Sequence, residues 1–187
     1  SLLGSDKLQH SFPHSWRSKA PLVYRATSQW FISMEKKDLR KKALKAIDET
    51  TFYPKRGKDR IRSMIETRPD WCISRQRIWG VPLPLFVSKK TKEPLRDPEV
   101  IENIAKIYEQ EGADCWFTDD PQKFLGKKYN KEDFIKSSDI VEVWFDSGAT
   151  HSYVLEKRKD LLWPATMYLE GSDQHRGWFH SSLLEAC

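Results

Sequence analysis

A short stretch near the end of the chain contains the residue types and spacing of a ligand-binding site. Glu170, Asp173 and Gln174 supply two carboxylates and an amide that can point at one ligand, and Gly171 allows the backbone to approach that ligand closely. Trp178 follows Gln174 by about one helical turn, so its apolar face can line the same pocket. We therefore predict a small-molecule site at this stretch.

The elements that must position these residues are a strand and a helix. Residues 166–169 predict a short strand, and residues 176–186 have the composition of an amphipathic helix. In α/β proteins, ligands bind where a strand ends at a polar turn and a helix begins, because side chains and the first helical N–H groups face the same crevice. A simpler interpretation is a capped helix start, with Ser172 or Asp173 as the cap and Trp178 in the core.

A second strand is predicted upstream of the first. Residues 140–145 are mostly apolar, as expected for a strand covered on both faces of a parallel sheet, and residues 146–148 then form the turn at its carboxyl end. If the two strands are neighbours, their ends bring five residues into one crevice: Trp144, Asp146, Glu170, Gln174 and Trp178.

The composition is that of a folded protein. With 187 residues, of which 39% are hydrophobic and 32% charged, the chain can form one large domain or two small ones around a core. No apolar run approaches the roughly 20 residues that span a bilayer, and residues 1–6 have no signal-peptide pattern. Because the sequence lacks an initiator Met and stops within a helical pattern, we expect it to be a piece of a longer protein.

Cysteine usage and charge indicate the compartment and the kind of partner. Cys72, Cys115 and Cys187 are too few and too scattered for a disulfide framework, which favours a reducing cytoplasm. No Cys-x-x-Cys pair is present, and Pro13 between His10 and His14 argues against their sharing a helical face, so we expect no zinc. A net charge of +5 permits an anionic partner such as tRNA or a nucleotide, but a solvated surface explains it about as well.

The first half of the chain predicts a ribbon followed by helices. Residues 1–32 have the pattern of short strands and turns, and Ser33 begins an amphipathic helix whose outer face, residues 36–45, is rich in lysine. A second helix is predicted at residues 58–67. Trp71 and Trp79 then flank an Arg-Gln-Arg cluster that could bind phosphate or hold neighbouring loops together.

Residues 85–137 show no catalytic constellation and are predicted to be structural. Their pattern predicts, in order, a strand at 85–87, a helix from Asp97-Pro98 to Gly112, a short strand at Trp116-Phe117 and a helical turn from Asp120 to Gly126.

Four strings of the sequence resemble one enzyme family. Residues 170–179, Glu-Gly-Ser-Asp-Gln-His-Arg-Gly-Trp-Phe, closely resemble the adenylate-binding segment of isoleucyl-tRNA synthetases, which are class I aminoacyl-tRNA synthetases. Residues 71–76, Trp-Cys-Ile-Ser-Arg-Gln, and residues 143–148, Val-Trp-Phe-Asp-Ser-Gly, are similar to strings of the same class. Residues 9–32 resemble the strands that return from the editing insertion to the catalytic body. The strings follow one another in order over nearly the whole chain.

The resemblance implies an α/β protein in three parts. Residues 1–32 would be the return ribbon from the editing insertion, and residues 33–137 a connective α+β region. Residues 138–187 would form part of a Rossmann-like catalytic fold, contributing its C-terminal strands and helix. The family uses ATP with Mg²⁺ to join isoleucine to tRNA(Ile) through an isoleucyl adenylate. We expect the parent enzyme to be a cytoplasmic monomer without a membrane anchor.

The resemblance also implies roles for individual residues. Glu170, Gly171, Asp173 and Gln174 would bind the adenylate, with Asp173 at its ribose and Gln174 at the ammonium group, while two tryptophans would enclose the isoleucine side chain: Trp144 and Trp178. No residue is assigned a catalytic role, because the reaction needs no covalent enzyme intermediate. The His-Ile-Gly-His-like and Lys-Met-Ser-Lys-Ser motifs of the class are absent from this sequence, so the chain alone is not expected to activate an amino acid.

Several alternatives remain open from the sequence. Several relatives place zinc-binding cysteines where this chain has Ser88 and Thr91, which reinforces the expectation that zinc is absent. The chain could come from a valyl- or leucyl-type synthetase, or be a freestanding tRNA-binding module that uses residues 36–45 with Trp71 and Trp79. A carboxylate-pair hydrolase could use Asp146, Glu170 and Asp173. It is less suitable, because Glu170 and Asp173 are too near in sequence to flank a scissile bond from opposite faces.

Overall fold

The computed structural model describes residues 3–187 as a mixture of helices and short strands. The strands form three separate antiparallel pairs, β1 with β2, β3 with β6 and β4 with β5. The strand bounds are Phe31–Ile32 (β1), Trp71–Cys72 (β2), Ser74–Arg75 (β3), Phe86–Ser88 (β4), Phe134–Lys136 (β5) and Ile140–Val141 (β6). Because each pair is so short, side-chain packing between helices and strands must supply most of the stability.

Seven α-helices carry most of the regular structure of the described part. Their bounds are Leu39–Glu49 (α1), Arg56–Glu66 (α2), Pro98–Glu111 (α3), Cys115–Thr118 (α4), Pro121–Leu125 (α5), Val143–Gly148 (α6) and Trp178–Ala186 (α7). Shorter 3-10 turns span Lys36–Asp38, Lys131–Asp133 and Ser172–Arg176, and a π-helical stretch spans His151–Glu156. None of the helices in residues 3–187 is both long and apolar enough to cross a membrane.

One hydrophobic core joins the early helices to the last one, and we call it the Met34 core. Its buried members come from α1, α2, β2 and α7 and the segment before α1: Met34, Ala43, Ile47, Ile61, Ile65, Trp71 and Leu184. The predicted outer face of α1 is exposed except at Arg40, whose guanidinium donates to the Arg68 carbonyl (2.8 Å) and the Glu66 carbonyl (3.1 Å). Arg40 therefore ties α1 to the end of α2.

A second core lies within the middle of the chain, and we call it the Trp116 core. Its buried members come from β4, α3, α4 and α5: Phe86, Val100, Ile104, Ile107, Cys115, Trp116, Phe124 and Leu125. The Trp116 ring packs against Phe86 (centroids 5.1 Å apart) and Phe124 (4.9 Å), and its indole N–H donates to the Ser137 carbonyl (2.8 Å). The division of the chain at residues 32 and 137 stays a prediction.

The start and end predicted for α3 are confirmed. The Asp97 side chain accepts a hydrogen bond from the Glu99 backbone N–H (2.9 Å), and Pro98 occupies the first helical position. Gly112 follows the helix with a φ of +82°, a conformation that favours glycine. Asp97 is almost fully buried and also accepts from Lys128 Nζ (2.6 Å) and the Tyr129 hydroxyl (2.7 Å).

We predict that Asp97→Asn removes a pH-dependent part of the stability. The hydrogen bonds from Lys128 and Tyr129 lower the pKa of Asp97 to about 2, below the value near 4 expected of the unfolded chain. The stabilisation is therefore complete above pH ~4 and is lost as the pH falls towards 2. Asparagine keeps the cap acceptor but has no charge. Urea unfolding at pH 5, 4, 3 and 2 should show the difference between the two proteins shrinking, and a constant difference would contradict the assignment.

Two strands predicted for the site region are wrong. Only Ile140–Val141 pairs as a strand, with β3, and residues 143–148 are helical. A short apolar run is compatible with a buried helix as well as a buried strand, and here packing against α7 decides the outcome. Residues 166–169 make no backbone hydrogen bond to any strand in the described part of the chain. A β-strand needs such a partner, so this segment is irregular.

The strand predicted at Trp116-Phe117 is also wrong, because these residues belong to α4. Aromatic residues favour strands on average, but strand propensity depends on tertiary context. In α4, Trp116 is completely buried while Phe117 is exposed. The helical turn lets one ring enter the core and leaves its neighbour at the surface.

Candidate functional site

The predicted site residues lie where α6 packs against α7. Gly148 of α6 is buried in this contact. A Cβ atom at this position would overlap the Glu185 carboxylate and lie 3.0 Å from the Ser181 carbonyl carbon. A larger residue would therefore have to displace the Glu185 carboxylate and crowd the backbone of α7.

The two predicted pocket tryptophans come together at this helix pair. The Trp178 indole N–H, at the start of α7, donates to the Ser147 carbonyl in α6 (2.8 Å). The Trp144 ring lies against Gly177, with its Cη2 atom 3.1 Å from the place a Cβ would occupy. Trp144 is 40% exposed and Trp178 is partly buried, so both rings border solvent. The juxtaposition that a shared pocket requires is present, although helices and not strand ends create it.

Gln174 joins the polar turn to the start of α7. Its side-chain oxygen accepts from the Trp178 backbone N–H (2.9 Å), and its side-chain nitrogen donates to Asp173 Oδ2 (3.2 Å). Neither Ser172 nor Asp173 forms a side-chain cap on the 3-10 turn or on α7. The simpler interpretation of the motif is therefore wrong in its choice of capping residue, because Gln174 supplies the acceptor.

The remaining polar residues are exposed in the same turn. Glu170 Oε2 accepts from the Gly171 backbone N–H (3.2 Å), and the Asp173 carboxylate lies beside Gly171. A Cβ at position 171 would be 2.6 Å from Asp173 Oδ1, so glycine lets this carboxylate fold back over the backbone. Glu170, Gly171 and Asp173 thus offer carboxylate oxygens and bare backbone to solvent at one edge of the turn.

The structure adds Tyr168, which the sequence analysis did not select. Its ring packs on Trp178 (centroids 4.3 Å apart) and on Phe179 (5.4 Å), and its hydroxyl lies 2.6 Å from Ser182 Oγ. Burial raises the pKa of this phenol, so it stays protonated. No local pattern pointed to Tyr168, because it meets α7 only through the fold.

Asp146 belongs to a different group of carboxylates from Glu170 and Asp173. Burial, followed by repulsion from Asp146 and Glu142, raises the pKa of Glu185 to about 8. Burial and Glu142 likewise raise the pKa of Asp146. Arg75 Nη2 lies 3.9 Å from Glu142 Oε1. This arrangement gives no support to a hydrolase that pairs Asp146 with the exposed carboxylates.

The two buried histidines of this region have structural environments. His175 Nδ1 lies 2.7 Å from the Ser172 carbonyl and closes the 3-10 turn. Burial, with the positive charges of Arg68 and Arg176, lowers the pKa of His180 to about 4, so this ring is neutral at pH 7. Neither histidine joins the exposed polar edge.

A cavity of about 350 Å³ lies on the other face of α6, where Phe145 packs against Trp71 (centroids 5.9 Å apart). None of the six predicted ligand-binding residues lines it. Its walls come from β1, β2, α6, the segment after α6, and α7: Ile32, Trp71, Phe145, Ala149, His151, Ser152, Leu184 and Glu185. The predicted site is therefore an open surface and not this cavity.

Metal-binding residues are not grouped in the part of the chain that the structure describes. No set of three or more His, Cys, Asp or Glu side chains in residues 3–187 is arranged to hold a metal ion.

Known proteins include sequences that closely resemble this chain over its whole length. An isoleucine–tRNA ligase of Pelagibacter ubique is 74% identical over 186 residues, which cover all of this chain and 21% of that protein. The enzymes of the same name from Zymomonas mobilis (196 aligned residues) and Caldicellulosiruptor saccharolyticus (190) are each 54% identical, over 100% and 99% of this chain. The chain spans about a fifth of the length of these relatives.

The family assignment rests on a match over most of the sequence. The family model described as class I tRNA synthetases (I, L, M and V) matches residues 14–187. That range includes α6, α7 and every predicted site residue. The chain therefore belongs to the class I tRNA synthetase family.

Proposed function

We propose that this chain is part of an isoleucine–tRNA ligase and contributes one side of its isoleucyl-adenylate site. The observation that carries the proposal is the meeting of Trp144, Gln174 and Trp178 at Gly177, next to the exposed carboxylates of Glu170 and Asp173. An apolar wall beside hydrogen-bond acceptors suits a ligand with an aliphatic side chain, an ammonium group and a ribose. The isoleucine–tRNA ligases that match the chain support this choice of ligand.

The residues act in this proposal by binding and orientation. Asp173 accepts hydrogen bonds from the ribose hydroxyls, and Gly171 leaves room for the ribose to approach. Glu170 contacts the adenylate from the same edge. Joining the isoleucine carboxylate to the α-phosphate of ATP requires positioning and charge stabilisation, so no protein nucleophile is needed.

Gln174 can bind the substrate ammonium group without losing its structural contact. Its side-chain oxygen already accepts one hydrogen bond from the Trp178 N–H. An amide oxygen has two lone pairs, so a second donor can share it. The same residue would thus hold the ammonium group and fix the start of α7, which places Trp178 against the side chain.

The proposal extends to the wider fold and to the partners. We infer that residues 138–187 form the C-terminal part of a Rossmann-like domain. We further propose a cytoplasmic, monomeric parent enzyme with ATP, isoleucine and tRNA(Ile) as substrates. The chain alone would bind the adenylate without forming it.

We predict that Glu170→Ala weakens binding of a nonhydrolysable isoleucyl adenylate analogue by about 10- to 100-fold, because a charge-assisted hydrogen bond is lost. Isothermal titration of the chain with the analogue measures this directly. Glu109→Ala is the matched control, since Glu109 is an exposed carboxylate on α3. Equal affinity of the Glu170→Ala variant and the original chain would refute the role of Glu170, and no saturable binding by the original chain would refute the proposed function.

The tRNA-binding module is less well supported by the structure. Trp71 is only 6% exposed and therefore cannot stack on a base, which leaves only the 93% exposed Trp79 of the two tryptophans in this alternative. On the lysine-rich face, Lys41 is paired with Asp38 (2.8 Å) and Lys45 lies 3.7 Å from Glu49. These pairs reduce the positive charge that a nucleic acid would meet.

A further inference from the structure

Gly177 occupies a crowded position between the 3-10 turn and α7. It is buried, and its φ of −139° is outside the left-handed region that favours glycine. The backbone angle φ therefore gives no reason for glycine here. The atoms around Gly177 do give a reason.

The atoms that crowd Gly177 belong to predicted ligand-binding residues. A Cβ at this position would lie 2.5 Å from Gln174 Oε1, 3.4 Å from Gln174 Cδ and 3.1 Å from Trp144 Cη2. The first of these distances is too short for any real contact, and the third is tighter than ordinary packing. Alanine could be accommodated only if the Gln174 amide turned away and the Trp144 ring moved.

Those two movements would affect opposite sides of the proposed site. The Gln174 oxygen also accepts from the Trp178 N–H, so turning the amide removes the hydrogen bond that begins α7. Moving the Trp144 ring shifts the apolar wall. The absence of a side chain at Gly177 therefore sets the separation between the amide and the aromatic ring.

We propose that Gly177 is a positioning residue that determines how well the site distinguishes aliphatic side chains. This inference rests on the proposed function, because its ligand is the isoleucyl adenylate. Gly177 touches no substrate itself. It acts by holding Trp144 at the distance from Gln174 that fits the isoleucine side chain when the ammonium group is bound to the amide.

Gly177→Ala should weaken binding of the nonhydrolysable isoleucyl adenylate analogue by about tenfold. The substitution should weaken binding of the valyl adenylate analogue less. The displaced Trp144 ring would lose contacts that only the longer isoleucine side chain reaches. The ratio of the two affinities, measured by titration, should therefore fall. A general loss of folding would weaken both analogues equally, and that result would overturn the proposal.

A double-mutant cycle with Trp144→Leu tests the connection to the ring. If Gly177 acts through Trp144, the double variant binds the isoleucyl analogue within about threefold of the weaker single variant. Trp79→Leu is the matched control, because Trp79 is 93% exposed, and its effect should add to that of Gly177→Ala. Additive effects with Trp144→Leu as well would overturn the proposal.

The indole N–H resonances of the ligand-free chain provide a measurement that does not depend on binding. Gly177→Ala should shift the Trp144 resonance and leave the Trp79 resonance unchanged. Failure of the original chain to bind the analogue would refute the proposed function. A Trp144 resonance that Gly177→Ala leaves unshifted would overturn the positioning role, whatever the binding result. If Gly177→Ala did not fold, recovery of folding in the double variant with Trp144→Leu would support the role, and no recovery would overturn it.

Discussion

Trp178→Ala should weaken binding of the isoleucyl adenylate analogue by about a hundredfold, the effect expected of an aromatic residue that anchors a ligand. The substitution removes the apolar wall, the hydrogen bond from its indole N–H to the Ser147 carbonyl, and the surface on which Tyr168 packs. Because α6 and α7 are both involved, the loss should exceed that from any polar residue of the turn.

Two further variants separate these contributions. Trp178→Phe keeps an aromatic wall but lacks the N–H donor, so we expect an intermediate loss of about three- to tenfold. Trp79→Ala removes an exposed indole and should leave the affinity unchanged. Titration of all three variants with the analogue measures how much the aromatic ring and the N–H donor of Trp178 each contribute to the affinity. A Trp178→Ala protein that folds and binds as tightly as the Trp79→Ala protein would show that Trp178 is not part of the site.

Trp116→Ala should lower the free energy of unfolding by about 3–5 kcal/mol, as expected when a fully buried tryptophan leaves a cavity. Trp116 packs against Phe86 and Phe124 and donates to the Ser137 carbonyl, so its loss empties the centre of the Trp116 core. The Ser137 carbonyl would also lose its donor, which adds to the cost.

Urea unfolding measures this effect, with Phe117→Ala as the matched control. Phe117 is the next residue of α4 and is 44% exposed, so its truncation should cost less than ~1 kcal/mol. Equal losses for the two variants would mean that the Trp116 core does not limit the stability of the chain. Below its unfolding transition, the Trp116→Ala protein should bind the analogue normally, because no site residue belongs to this core.

Local sequence patterns predicted the elements that depend on local interactions. Asp97, Pro98 and Gly112 set the limits of α3 because a cap, a proline and a positive φ act within a few residues. The apolar stripes of α1 and α2 likewise match the faces buried in the Met34 core. In both cases, the information lies within one or two helical turns.

The elements around the site depend on distant contacts and were predicted less well. Residues 143–148 form a helix because Gly148 lets α7 approach closely, and neighbouring residues do not reveal that contact. Residues 166–169 need a partner strand, and the described residues supply none. The residue types of the site were nevertheless sufficient to select Trp144, Gln174 and Trp178, whose contacts do not require the predicted strands.

The most direct measurement is a set of intermolecular NOEs between the methyl groups of the isoleucyl adenylate analogue and the chain. If α6 and α7 form the site together, the methyl protons of the bound analogue should show NOEs to both the Trp144 and the Trp178 indoles. They should show none to the Trp79 indole. Saturable binding whose methyl contacts all fall on other residues, such as those of the Trp71 cavity, would contradict the account.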